Sequence, residues 1–420
     1  MLMAETTDRV DVEAPRRLAR VTSEFGAPGT LKLTTLLAAG VLVSATLPVL
    51  GAFATLMMLA VCSRSRSLAG AASVTAIVIP LALLNTSKSV SGDWSWYTEL
   101  YSEMNSGSMN EFLGTRFGPG LISIKSTEPL YYYASDVLSS ATNGSIPALS
   151  ASITITIYLL IGFSLTLLGQ HIEVASSKIS LCLIPALLVG VTFTLTTQLV
   201  RQELALALLV LAIALTLQRR YLLTAVIVAA AVLVHNSAAI PSAAIFIGTL
   251  LLASQRPKVA LMCATLGFAG LGFAYSRSSG AAGYLTQDNG SVSILVLGFD
   301  ALLIFTLWRV GRGNSWQRVR EASSLIATIY VLLIIFLVFI ISLPVPFLRI
   351  YLYIEALRVL AIFMLTYLLV TAERAWSYPV LIILTGIYFQ LRLSAAPWEY
   401  SYGTLIDVLL LTPYGIGVSP

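Results

Sequence analysis

The stretch that decides the fold is Arg201-Gln202-Glu203-Leu204-Ala205-Leu206-Ala207-Leu208-Leu209. Three polar side chains lead into apolar helix formers that run without a break to about Thr216. In a bilayer this is a membrane helix that opens with an arginine. An arginine near the hydrocarbon boundary is costly unless it snorkels or faces a wet cavity. Gln198, Arg201 and Gln202 stand at i, i+3 and i+4 and so share one helical face. Two readings stay open: the wall of a site, or an interfacial arginine that anchors a helix end.

The composition carries this reading outward. Of 420 residues, 57% are hydrophobic and 11% charged, and the mean hydropathy is +0.87. That balance excludes an ordinary soluble domain. The apolar runs are long and do not alternate, which excludes a membrane barrel. The remaining class is an all-α polytopic membrane protein. The net charge of +5 belongs to membrane topology, and no basic patch interleaved with aromatics points to nucleic acid. Cys62, Cys182 and Cys263 lie in apolar runs and give neither metal spacing nor a disulfide framework.

Residues 1–29 read as a cytoplasmic polar tail without a cleavable signal, and 30–420 as one membrane-embedded domain. The run 33–62 is long for one helix, and Pro48 and Gly51 near its middle divide it into two, 31–49 and 51–63. Further segments fall at 68–86, 151–169, 179–197, 199–217, 221–238, 239–254, 259–275, 292–309, 323–343, 348–370 and 378–394, about thirteen helices in all. With the N-terminus inside, most of the 25 Lys and Arg face the cytoplasm, including Arg64, Arg66, Arg219, Arg220 and Arg309 to Arg320. The opposite side receives the long loop 87–150, the Ser/Gly-rich loop 276–291 and the tail 395–420, whose stretch 404–411 suits a half-helix. A loop as long as 87–150 is usually a lid or a substrate platform.

The same topology gathers polar residues on that outer side. Asp93 precedes Trp94, Trp96 and Tyr97. Glu128 opens an amphipathic helix with Tyr131, Tyr132 and Tyr133. Arg201 and Gln202 begin one membrane helix and His235-Asn236-Ser237 closes another. Arg349, Tyr353, Glu355 and Arg358 begin a third. Aromatic rings beside carboxylates suit sugars, and guanidinium groups suit a diphosphate. Against this, Trp94, Trp96 and the tyrosines fit an interfacial belt, His235 fits a helix end, and Glu355 and Arg358 at i, i+3 fit mutual neutralisation.

Taken in order, Gly92-Asp93-Trp94-Ser95-Trp96-Tyr97, Glu128-Pro129-Leu130-Tyr131-Tyr132, Arg201-Gln202, His235-Asn236-Ser237-Ala238, Arg349 with Tyr351 and Tyr353, and Pro413-Tyr414 resemble the EpsG-like branch of the Wzy-type bacterial polysaccharide polymerases. Glu203 stands where that family usually has Gly. The resemblance implies a GT-C-like membrane glycosyltransferase of the cytoplasmic membrane, with its site facing the exterior. Its implied substrates are oligosaccharide repeat units on undecaprenyl diphosphate, with a chain-length regulator protein as a candidate partner and no cofactor or metal. Arg201, Arg349 and Arg358 are then the candidates for the diphosphate. Glu128, Asp93 and His235 compete as general base. Gln202, Trp94, Tyr97, Tyr132 and Tyr353 are the candidate substrate contacts. A flippase for lipid-linked sugars, which needs no base, and a ligase, which differs only in its acceptor, are the alternatives.

Overall fold

The structure is a computed structural model that describes residues 40, 43–105, 128–254, 257–277, 294–314, 316–371, 377–394 and 400–412. The tail 1–29, most of the first expected helix, the middle of loop 87–150, loop 276–291 beyond Arg277, Arg374 and the pair Pro413-Tyr414 lie outside the described residues.

The described chain is helical, with one isolated bridge between Lys88 and Tyr400. In order the helices are α1 (Pro48–Cys62), α2 (Arg66–Thr86), α3 (Asp93–Met104), α4 (Pro129–Thr142), α5 (Ile146–His171), α6 (Ser176–Pro185), α7 (Leu195–Gln198), α8 (Val200–Leu217) and α9 (Tyr221–Val234). They continue as α10 (Ala239–Ala253), α11 (Pro257–Ser276), α12 (Ile294–Gly313), α13 (Gln317–Phe339), α14 (Pro344–Tyr351), α15 (Ile354–Thr371), α16 (Ser377–Ser394) and α17 (Leu405–Leu409). Proline starts several of them: Pro48, Pro129 and Pro344 sit in the first turn, where a missing N–H costs nothing. Helix α4 ends where Asn143 and Gly144 turn left-handed, at φ 51° and 68°.

Six segments are long and apolar enough to cross a membrane: 66–86, 146–171, 200–217, 258–276, 317–339 and 344–371. Five further apolar helices have 10 to 17 residues. The structure therefore establishes a polytopic helical membrane protein, while the expected count of about thirteen spans is not reached among the described residues.

Two expected segments are broken, and the first of them is thereby too short to count as a span. The segment expected as one helix over 179–197 stops at Pro185, passes through a π turn (Ala186–Gly190) and becomes extended at Val191. Proline inside a helix removes one donor and crowds the preceding turn. The segment expected over 348–370 is two helices, α14 and α15, separated at Leu352 and Tyr353. Non-helical backbone within a membrane needs protein partners. Here Thr192 gives its backbone N–H and its hydroxyl to the Glu355 carboxylate, which ties the first break to α15.

Helix α8 is the axis. It packs against α5, α9 and α15, and its side chains from Ala205 to Leu217 are nearly all buried. Helices α2 and α5 approach closely: a Cβ on Gly162 would fall 2.4 Å from Val74 and one on Gly70 would fall 2.5 Å from Thr166. Small residues at a crossing are the usual means of close contact in lipid. Where described, the 87–150 region is two helices, α3 and α4, packed on each other. Trp94, Tyr97 and Tyr101 form the buried stripe of α3, and Tyr97 meets Tyr131 of α4 edge to face with ring centres 5.9 Å apart.

Candidate functional site

Glu128 is the hub. It immediately precedes α4, so its side chain sits where the outer helix pair meets the top of α8 and the end of α9. Only 1% of it is exposed. One carboxylate oxygen accepts from Nη1 of Arg201. The other accepts from Nδ1 of His235 at 2.6 Å and from the backbone N–H of Asn236 at 3.1 Å. Burial alone would raise the Glu128 pKa. The His235 hydrogen bond and the Arg201 charge outweigh it and hold the carboxyl below the ordinary carboxylate range.

Arg201 is the arginine that the sequence placed at the membrane boundary. Its anion is supplied by the protein itself. Besides Glu128, its Nη1 donates to the Tyr132 hydroxyl at 3.1 Å and its Nε to the Tyr97 hydroxyl at 3.4 Å. Both rings flank the guanidinium, at 5.9 and 6.0 Å from ring centre to Cζ. Tyr97 and Tyr132 are buried and hold Arg201 rather than presenting ring faces for a sugar. Trp94, expected as a sugar contact, is 1% exposed within the core and offers no open face. Its spacing with Tyr97 and Tyr101, at i, i+3 and i+7, is that of a helix's buried stripe.

His235 follows α9 in extended conformation (φ −153°, ψ 119°), which turns its ring away from the helix and toward Glu128. In the neutral tautomer that donates Nδ1–H to the carboxylate, Nε2 carries the lone pair. Nε2 has no hydrogen-bond partner among the described residues. Beside the turn that follows His235 lies a cavity of about 350 Å³, lined by Asn236, Ser237, Tyr275, Phe336 and Arg349 among others. The Arg349 guanidinium makes no hydrogen bond or ion pair among the described residues. Its backbone carbonyl accepts from Nε2 of Gln202 at 2.6 Å. Tyr353, 1% exposed, shares a 3.1 Å hydrogen bond with Ser237. Gln202 and Tyr353, expected as substrate contacts, thus hold the Arg349 backbone and the Ser237 hydroxyl at the cavity.

Two expected members stand apart. Asp93 is exposed in the first turn of α3 and has no partner among the described residues. Arg358, expected as a third diphosphate ligand, is already engaged. Its Nε and Nη2 donate to the two carboxylate oxygens of Asp300 at 2.7 and 2.9 Å, and Nη1 lies 3.8 Å from Glu355. The Tyr351 hydroxyl donates to the same Asp300 at 2.6 Å. Asp300 escaped the sequence reading although the signal was present: one acid inside the apolar run Ile294-Leu295-Val296-Leu297-Gly298-Phe299 before it and Ala301-Leu302-Leu303 after it. An intramembrane acid calls for a partner by default.

A larger cavity, about 600 Å³, is elsewhere. It is lined by Gln170, His171, Arg219, Trp316, Arg318 and Glu321 among others, and its arginines are ones the basic-residue pattern assigns to the cytoplasm. It shares no lining residue with the Arg349 cavity, so its size does not make it the reaction centre.

Fold and site together define a multi-pass helical membrane protein with a buried carboxylate–histidine–arginine centre beside a cationic cavity. The family model that describes the EpsG family matches residues 71–402, and the chain belongs to that family. Every centre residue from Glu128 to Tyr353 falls inside the matched span. Membership marks it as an exopolysaccharide polymerase-like membrane protein. No curated protein and no solved structure matches the chain.

Proposed function

We propose that the protein polymerises oligosaccharide repeat units carried on undecaprenyl diphosphate, in a GT-C-like bundle of the cytoplasmic membrane whose site faces the exterior. The observation that carries this reading is His235, oriented through Nδ1 by a buried carboxylate and followed directly by Asn236 and Ser237, which line a cavity with an unengaged arginine. The reaction needs both parts. A sugar hydroxyl of the incoming unit gives its proton to Nε2 of His235 as its oxygen bonds the anomeric carbon of the growing chain. The bond from that carbon to the lipid diphosphate breaks, and its electron pair leaves with the diphosphate. Arg349 meets the charge that develops there, where preorganised cationic donors act most strongly. Glu128 fixes the imidazole and stabilises the imidazolium, and Arg201 with Tyr97 and Tyr132 fixes Glu128. Arg349 therefore replaces Arg201 as the first diphosphate candidate, and His235 takes precedence over Glu128 and Asp93 as base. The charge is met by arginine, so the proposed reaction is metal-independent.

The test is the lipid-linked glycan pool of a deletion strain complemented with the wild type or with His235→Ala. A polymerase predicts that single repeat units accumulate on the outer leaflet in the deletion and in the variant. Retention of those units on the cytoplasmic leaflet would instead identify a flippase and overturn the proposal. Sidedness is checked with cysteines placed at Ser106 and Asn314: a membrane-impermeant thiol reagent should label the first in whole cells and not the second.

A further inference from the structure

A second cavity, of about 240 Å³, is lined by near neighbours in sequence of the same centre and shares no lining residue with the Arg349 cavity. Its walls are α4, α5 and α8, with Leu130, Ala134, Ile153, Thr156, Leu204 and Leu208 among its lining residues. Three chain connections link its walls to the reaction centre. Leu130 lies two residues after Glu128, Leu204 and Leu208 lie about one and two turns after Arg201 on one face of α8, and Val234 immediately precedes His235. The lining is overwhelmingly apolar and includes no charged side chain. Around it Leu130, Val137, Ile155 and Leu159 are exposed, as on a lipid-facing surface, so the groove opens sideways toward the bilayer.

We propose that this groove takes the isoprenoid tail of one lipid-linked substrate. The choice of tail rests on the polymerase reading: a glycan on a polyprenyl diphosphate has a charged head that must reach the centre and a long apolar chain that must stay out of water. A groove that begins beside Glu128 and Arg201 and runs along α8 into the lipid-facing surface satisfies both. The Arg349 cavity, which shares no lining residue with the groove, is left for the head of the second substrate. The two carriers thus use separate cavities.

The test uses the full-length protein in nanodiscs with two photoactivatable probes: a diazirine-bearing polyprenyl diphosphate without sugar, and a diazirine-bearing phosphatidylglycerol. Crosslinked peptides are identified by mass spectrometry. The polyprenyl probe should label α4, α5 and α8 around the groove, and unlabelled polyprenyl diphosphate, but not phosphatidylglycerol, should compete. Ala134→Trp and, on the facing wall, Thr156→Trp fill the groove from exposed positions and should each lower labelling about tenfold, since most of the buried chain contact is lost. Equal labelling by phosphatidylglycerol without competition makes the groove an ordinary lipid contact and overturns the proposal. Crosslinks between two protein copies across the groove do the same. Groove labelling by the polyprenyl probe in a protein that makes no polymer would leave the groove standing and sink the polymerase reading, so the two fail separately.

Discussion

Two buried arginine–carboxylate pairs among the described residues, Arg358–Asp300 and Arg201–Glu128, differ in what remains free. In the pair Arg358–Asp300, both carboxylate oxygens are taken by the guanidinium, Tyr351 adds a third donor, and Glu355 lies on the far side of the arginine. In the pair Arg201–Glu128, the second carboxylate oxygen is spent on a histidine whose other nitrogen has no partner among the described residues. The first is a closed clamp that holds α12 against α15 and steadies the break carrying Arg349. The second passes its orientation on to a group that can accept a proton. Residue types do not separate structure from chemistry here; the count of unspent donors and acceptors does.

The largest effect expected is on activity at the open pair. His235→Ala should lower polymer synthesis by about 10²- to 10⁴-fold, the usual contribution of a positioned proton acceptor, with protein abundance unchanged. Polymer is measured in cells at matched protein levels. At the closed pair the order reverses. Asp300→Ala leaves Arg358 buried without its main partner and should cost about 3–5 kcal/mol of stability, seen as a lower melting temperature in detergent and low abundance. If Asp300→Ala instead gives abundant protein without activity, the closed pair belongs to the chemistry and the contrast fails.

The arginines sharpen the same contrast. Arg349→Lys keeps a charge and loses the planar fork, and should lower turnover by about tenfold or more if the fork holds developing diphosphate charge. Arg201→Lys keeps an ammonium beside Glu128 and should cost less, through its lost bonds to Tyr97 and Tyr132. The kinetic comparison of the two variants decides which arginine meets substrate.

A smaller effect concerns pH. Glu128 has a folded pKa below its unfolded value, so its stabilising contribution is present above the ordinary carboxylate pKa of about 4.3 and is lost as pH falls through the folded value. Melting temperature of the wild type should therefore drop below about pH 4 more steeply than that of Glu128→Gln. The smallest expected effect is at Glu203, which is fully buried with neither carboxylate oxygen hydrogen-bonded among the described residues. Glu203→Met removes that cost and should raise stability by about 1 kcal/mol, read as a modest rise in melting temperature.

The sequence made the membrane class and the gathering of Glu128, Arg201 and His235 on one side legible. Those three follow from one rule: polar residues beside apolar helices on one predicted side need each other. What it could not show was which polar group spends its capacity on which. Glu355 and Arg358 at i, i+3 looked sufficient for each other, yet their groups are 3.8 Å apart while Asp300, 58 residues away, holds Arg358 at 2.7 Å. Trp94 and Tyr97 looked like a sugar platform because the aromatic cluster was read as a patch. The 3.6-residue period, which turns Trp94, Tyr97 and Tyr101 inward, was the better guide. The break at Val191 depends on Glu355 capturing Thr192 from 163 positions away, which no local pattern records.

The central claim is that Glu128 acts through His235, and a double-mutant cycle on polymer synthesis by the purified full-length enzyme tests it most directly. Glu128→Gln, His235→Ala and the double variant are compared with the wild type at matched folded protein. Residues that work as one unit give losses that do not add. The double variant should be no slower than His235→Ala alone, because an orienting carboxylate has nothing to orient once the imidazole is gone. Losses that multiply, or near-normal polymer from His235→Ala, would contradict the account.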